Sequence, residues 1–75
     1  MTLDEFVKAF SAEFDNTPME VFKPGTHFRE LNEWSSLTAL SIISMVDDNA
    51  DVIVTGADLR SCTTIEDLYK IVQSK

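Results

Sequence analysis

The chain is short of cysteine, histidine, glycine and positive charge, and each shortage removes a class of function. Cys62 is the single cysteine, so no internal disulfide can form and no Cys/His set has metal-ligand spacing. The fold must rest on packing alone. His27 is likewise alone, with no spaced partners to make a nucleophilic triad, which argues against an enzyme. Two glycines are too few for a phosphate-cradling loop. No apolar run reaches the length needed to span a membrane, and there is no leader of charged, apolar and small residues, so a cytoplasmic protein is expected. Six basic residues against thirteen acidic ones give a formal net charge of −7. That balance repels nucleic acid and anionic membranes and favours basic protein surfaces, while also serving solubility.

What remains is apolar enough to fold: 44% of the 75 residues are hydrophobic, which suits one small domain over residues 1–75. Thr2-Leu3-Asp4-Glu5 has the form of a capping box and opens a segment with apolar residues at Leu3, Phe6, Val7, Phe10 and Phe14. Those positions share one stripe, with Asp4, Lys8, Ser11 and Glu13 largely off it, so an amphipathic first helix is predicted to end near Phe14 or Asp15. Asp15-Asn16-Thr17-Pro18 breaks it, and Lys23-Pro24-Gly25-Thr26 is a second turn signal. A long, ordered loop is expected between them and the next helix, pinned by Met19, Val21, Phe22, Phe28 and Leu31, with His27 at its surface.

Glu33-Trp34-Ser35-Ser36-Leu37 is where the polar loop gives way to the apolar run Leu37–Val46. A helix is predicted from about Ser36 to Asn49. At about 100° per residue, Ala39, Ile42, Ile43, Val46 and Ala50 gather on one face, with Leu37, Ser41, Ser44 and Asp48 opposite. One face packs and one is displayed. Leu37 on the displayed face, with Leu40 and Met45 on its flanks, gives an apolar contact surface beside the paired serines and points to a partner. Ser35 or Ser36 can cap the helix. Ser36 can equally carry a phosphate diester, because the free N–H groups of a first helical turn favour anions. The local pattern leaves both readings open.

Asp51-Val52-Ile53-Val54 has strand propensity but no pairing partner, and reads as a loop. Thr55–Arg60 can form about one helical turn. Thr63-Thr64-Ile65-Glu66 offers a second capping box, and Ile65, Leu68, Tyr69 and Val72 recur at helical spacing to give a closing helix. Cys62 before it reads as a small core residue. Asp47–Asp58 also places Asp, Asn, Asp, Thr and Asp at positions one, three, five, nine and twelve of a calcium-loop template. Position six is Val52 where the sharp turn needs glycine, and position twelve is Asp58 where a bidentate glutamate belongs, so no metal site is expected.

Helix, long loop, Ser-Leu opening a central apolar helix, short helical turn and closing helix together resemble the acyl carrier proteins over nearly the whole chain. Trp34-Ser35-Ser36-Leu37 and Thr63-Thr64-Ile65-Glu66-Asp67-Leu68 carry the likeness, in that family's order and spacing. The resemblance implies an all-α fold, a small four-helix bundle of acyl-carrier type with a long first loop and a short third helix. It implies that Ser36, the serine followed by leucine, carries a 4′-phosphopantetheine arm derived from coenzyme A, whose thiol holds an acyl group as a thioester. The protein would then be a monomeric, non-catalytic carrier for a lipid, polyketide or other specialised acyl pathway. Its implied partners are a phosphopantetheinyl transferase and an acyl-loading ligase, synthase or acyltransferase with basic docking surfaces. They would meet the face that includes Leu37, Thr38, Leu40, Ser41, Ser44, Met45 and Asp48. Phe6, Phe10, Ile42, Val46, Leu59, Ile65 and Leu68 would line an interior that either opens around an acyl chain or stays closed.

Two positions depart from that family's pattern. The aspartate that usually precedes the modified serine is Ser35 here, which removes a carboxylate that helps the modifying synthase dock. The displayed face, usually acidic, carries Thr38, Ser41 and Ser44, with Asp47 and Asp48 only near its end. A specialised carrier served by a dedicated ligase or transferase is therefore expected. The alternatives are a non-modified interaction module that uses the same face, and a calcium-binding module.

Overall fold

Four helices and two single 3₁₀ turns make up all the regular structure in the computed structural model, which describes residues 1–75 and contains no strand. Helix α1 spans Leu3–Ser11, α2 Ser36–Ala50, α3 Gly56–Ser61 and α4 Ile65–Ser74; the 3₁₀ turns are Met19–Val21 and Phe28–Glu30. The architecture is a small all-α bundle in which α1 packs on α2 and α4, and α3 packs on α4. No helix is long and apolar enough to cross a membrane.

Three of the four helices open with a capping box. Thr2 Oγ1 accepts the Glu5 N–H at 3.2 Å while the Thr2 N–H donates to Glu5 Oε1 at 2.7 Å, and Thr55 with Asp58 and Thr64 with Asp67 repeat the exchange at α3 and α4. Each box pairs two donors that a helix start otherwise leaves free. The α4 box stands one residue later than the predicted Thr63–Glu66 pair. Asp67 occupies the third helical position, and its carboxylate accepts the Thr64 N–H and also the Thr63 N–H, each at 3.0 Å, so that one side chain pairs both donors. Backbone N–H groups of the capping threonines are the chief reason that the Glu5, Asp58 and Asp67 carboxyls sit below their ordinary range.

Helix α1 ends at Ser11, not near Phe14 or Asp15. The Ser11 hydroxyl donates back to the Lys8 carbonyl at 2.7 Å, and the chain then tightens, with Glu13 N–H bonded to Phe10 and Phe14 N–H to Ser11. Such back-bonding competes with the helical ladder. The tighter turn still delivers Phe14 to the core, where its ring lies 5.6 Å from Phe10 and 4.9 Å from Phe22.

A line of rings fixes the long loop. Tyr69, Phe6, Phe10, Phe28 and Trp34 follow one another at centroid separations of 5.5, 6.4, 5.4 and 5.0 Å, crossing from α4 through α1 and the loop to the approach to α2. Aromatic pairs at such distances add to the stabilisation from burial. The loop backbone is tied down as well, since Glu66 N–H donates to the Pro24 carbonyl at 2.9 Å and Arg29 Nε donates to the Cys62 carbonyl at 3.0 Å. Phe22 and Phe28 are buried and Leu31 is half-buried, as the sequence predicts, but Met19 and Val21 are exposed at 59% and 41%. With three residues per turn, a single 3₁₀ turn cannot send all its apolar side chains inward, and the inward position passes to Phe22.

Residues 51–54 form the expected loop. Val54 is buried and Ile53 is left outside.

Candidate functional site

The start of α2 is held by hydroxyls. Ser35 is the cap residue, with extended backbone, and its Oγ accepts the Thr38 N–H at 3.3 Å. The Thr38 hydroxyl in turn donates to the Glu33 carbonyl at 2.7 Å and lies 3.2 Å from Ser35 Oγ. Ser36 is therefore the first residue of the helix proper. Its side chain is exposed and takes no part in this network. The N–H groups of Ser36 and Leu37 have no helical partner, because the first rung of the ladder is Ala39 N–H to the Ser35 carbonyl at 2.9 Å. They sit at the positive end of a 15-residue helix.

Glu33 and Trp34 fix where that helix start lies. The Glu33 carboxylate accepts the Asp15 N–H at 3.2 Å, the Asn16 N–H at 2.9 Å and the Thr17 hydroxyl. Those bonds, led by the Thr17 hydroxyl, hold the Glu33 carboxyl below its ordinary range. Trp34 meets Phe28 edge-on at 5.0 Å. This clasp was not foreseen from the sequence. The only signal is the turn Asp15-Asn16-Thr17, which presents successive donors that a carboxylate from elsewhere in the chain can accept.

The displayed face matches the expected one except at one position. Leu37 and Leu40 are exposed at 76% and 61%, Ser44 and Asp48 are exposed, and Thr38 and Ser41 are half-buried. Met45, expected as a surface contact, is only 5% exposed and belongs to the core. It forms an i, i+3, i+4 stripe with Ile42 and Val46, and the buried seam of α2 is wide enough to include it. From Ser36 to Val46 there is no charged residue, and Asp47 and Asp48 come only in the last turn.

The interior is filled by its own side chains. Phe6, Phe10, Ile42, Val46, Ile65 and Leu68 have no exposure and Leu59 has 2%. The two concavities are open grooves on the flanks of α1, and neither is lined by these residues or by Ser36.

The calcium-like stretch is divided among three elements. Asp47, Asp48 and Asn49 lie in the last turn of α2, Asp51 is its left-handed cap at φ 54°, and Thr55 and Asp58 form the α3 capping box, with Asp58 also 3.1 Å from Lys75. No group of three or more His, Cys, Asp or Glu residues is arranged to hold a metal ion. Cys62 is fully buried, its Sγ donating to the Asp58 carbonyl at 3.2 Å, and burial pushes its thiol pKa up, which suits a packed thiol and not a nucleophile. His27 is at the loop surface, 3.1 Å from Glu30.

Comparisons with protein-family models, curated proteins and solved structures return no match.

Proposed function

We propose that the protein is an acyl carrier whose Ser36 bears a 4′-phosphopantetheine arm. The observation that carries this reading is the division of labour between adjacent serines: Ser35 does the capping, and Ser36 is left as an exposed, unbonded hydroxyl at a helix start. A phosphodiester there suits the residues present, because the unpaired N–H groups of Ser36 and Leu37 favour an anion and the Glu33 carboxylate is turned away onto residues 15–17. Such an arm supplies a thiol that holds an acyl group as a thioester. The chain's own part is to anchor and orient the attachment point and to present a recognition face.

On this reading the charge of −7 draws the monomer, in the cytoplasm, towards basic surfaces on a phosphopantetheinyl transferase and on an acyl-loading ligase, synthase or acyltransferase. Close contact then falls to Leu37 and Leu40, bordered by Thr38, Ser41, Ser44 and Asp48. That hydroxyl-rich face supports a specialised acyl pathway with a dedicated loading enzyme over a general fatty-acid carrier. The same exposed Leu37 and Leu40 support a second reading, a carrier-like interaction module that binds a partner with no arm.

The test is the intact mass of the protein after incubation with coenzyme A and a broad-specificity phosphopantetheinyl transferase. A gain of one phosphopantetheine group in the wild type, absent in Ser36→Ala, is the expected result. No gain, under conditions that fully modify an ordinary carrier, rejects the proposal and favours the interaction module.

A further inference from the structure

We propose that the groove between α1 and the Met19–Pro24 segment binds a short aliphatic carboxylate. The groove has a volume of about 280 Å³, at the small end for ligand sites, and is open to solvent, with no α4 residue in its lining. Val7 and Phe22, both almost buried, form its apolar floor, and Met19 stands beside them with 59% exposure. Lys8 and Lys23 also line it, from the helix and the loop respectively. They are two of only six basic residues in a chain of net charge −7, and neither is in an ion pair. Two lysines without an ion-pair partner, lining a groove that Val7 and Phe22 make apolar, match a ligand with one anionic end and a short hydrocarbon body. Asp4 is the one acid in the lining, and it pairs with neither lysine.

The walls are fixed before any ligand arrives. On the loop side Phe22 is packed against Phe10 and Phe14, the Lys23 N–H donates to Thr26 Oγ1 at 2.8 Å, and the Thr26 hydroxyl donates to the Val21 carbonyl at 2.8 Å. On the helix side the Ser11 hydroxyl is bound back to the Lys8 carbonyl. A preformed groove of this kind spends little binding energy on ordering. This inference does not depend on the carrier reading and can be tested on protein that bears no arm.

The experiment is a titration of ¹⁵N-labelled Ser36→Ala protein with octanoate, followed by amide shifts, with octanol and octylamine as matched controls. The expected result is saturable shifts confined to residues around Val7, Lys8, Phe22 and Lys23, with neither control matching octanoate. Lys8→Gln combined with Lys23→Gln should weaken octanoate binding by about fivefold, and Asp4→Asn should tighten it by about twofold. Retained dispersion of the amide spectrum confirms that each variant is folded. Shifts spread to Leu37 and Leu40, equal binding of octanol or octylamine, unchanged affinity in the double variant, or no saturation overturns the proposal.

Discussion

Glu33 and Thr17 are bonded side chain to side chain, and through that bond the turn after α1 holds the start of α2. Two further bonds from the Asp15 and Asn16 N–H groups complete the hold on the same carboxylate. The attachment point proposed at Ser36 is therefore positioned by a residue three places before it and by a turn almost twenty residues earlier.

Replacing Glu33 by alanine leaves three donors without their acceptor, and is expected to lower the melting temperature by several degrees. The effect is also pH-dependent. The Glu33 carboxyl is held below its ordinary value in the folded protein, so the unfolded chain binds its proton more readily. Its contribution is present above about pH 4 and is lost as the pH falls through the lower, folded value; Glu5, Asp58 and Asp67 act in the same sense. Urea midpoints should be flat above about pH 5 and fall below about pH 4, and the gap between wild type and Glu33→Ala should close in acid. A gap that stays constant down to about pH 2 would contradict the clasp.

Met45 and Leu40 differ in burial although both were expected at the surface. Met45→Ala empties a core position and should cost about 2–5 kcal/mol, whereas Leu40→Ala should stay within about 0.5 kcal/mol. For a domain of this size each kcal/mol moves the melting temperature by about 4–8 °C, so calorimetry separates the two variants readily.

Asp51 caps α2 with φ 54°, a conformation in which side chains other than glycine are strained, and it adds negative charge to the negative end of a helix that already carries Asp47 and Asp48. Asp51→Gly relieves both and should stabilise the protein by about 0.5–1 kcal/mol, measured by urea denaturation. A loss of stability would show that the Asp51 side chain has a favourable role of its own.

The adjacent serines should separate in stability measurements. Ser35→Ala removes the cap of α2 and is expected to cost about 1 kcal/mol, while Ser36→Ala removes an unbonded side chain and should fall within about 0.5 kcal/mol. Ser35→Asp keeps a capping oxygen and places a carboxylate at the positive end of the helix, so its stability should match or exceed the wild type.

Much of the fold was legible because each helix announces itself locally. The span of α2, the Thr2–Glu5 box, the loop at residues 51–54 and the phenylalanine stripe of α1 all follow from short-range pattern. Structure and sequence part where a tertiary or sub-turn choice decides the outcome. Thr63 and Thr64 are equally good caps in sequence, and the carboxylate of Asp67, which takes both N–H groups, selects the second. The end of α1 is set by the Ser11 hydroxyl turning back on Lys8, and the burial of Met45 by the width of the buried stripe of α2, which it shares with Ile42 and Val46. Ser36 could be singled out from its neighbours, but not its freedom from the capping network, which depends on Ser35 and Thr38 pairing with each other. The Glu33 clasp joins residues too far apart for any local pattern to show.

The most direct measurement is the position of the adduct. After loading from coenzyme A by a phosphopantetheinyl transferase, the peptide containing Ser35 and Ser36 is isolated and fragmented in the mass spectrometer. Phosphopantetheine is expected on Ser36 alone, in the wild type and in Ser35→Asp, with the Ser35→Asp variant loaded faster. Adduct on Ser35, or a wild-type protein that remains unmodified while an ordinary carrier is fully loaded beside it, would contradict it.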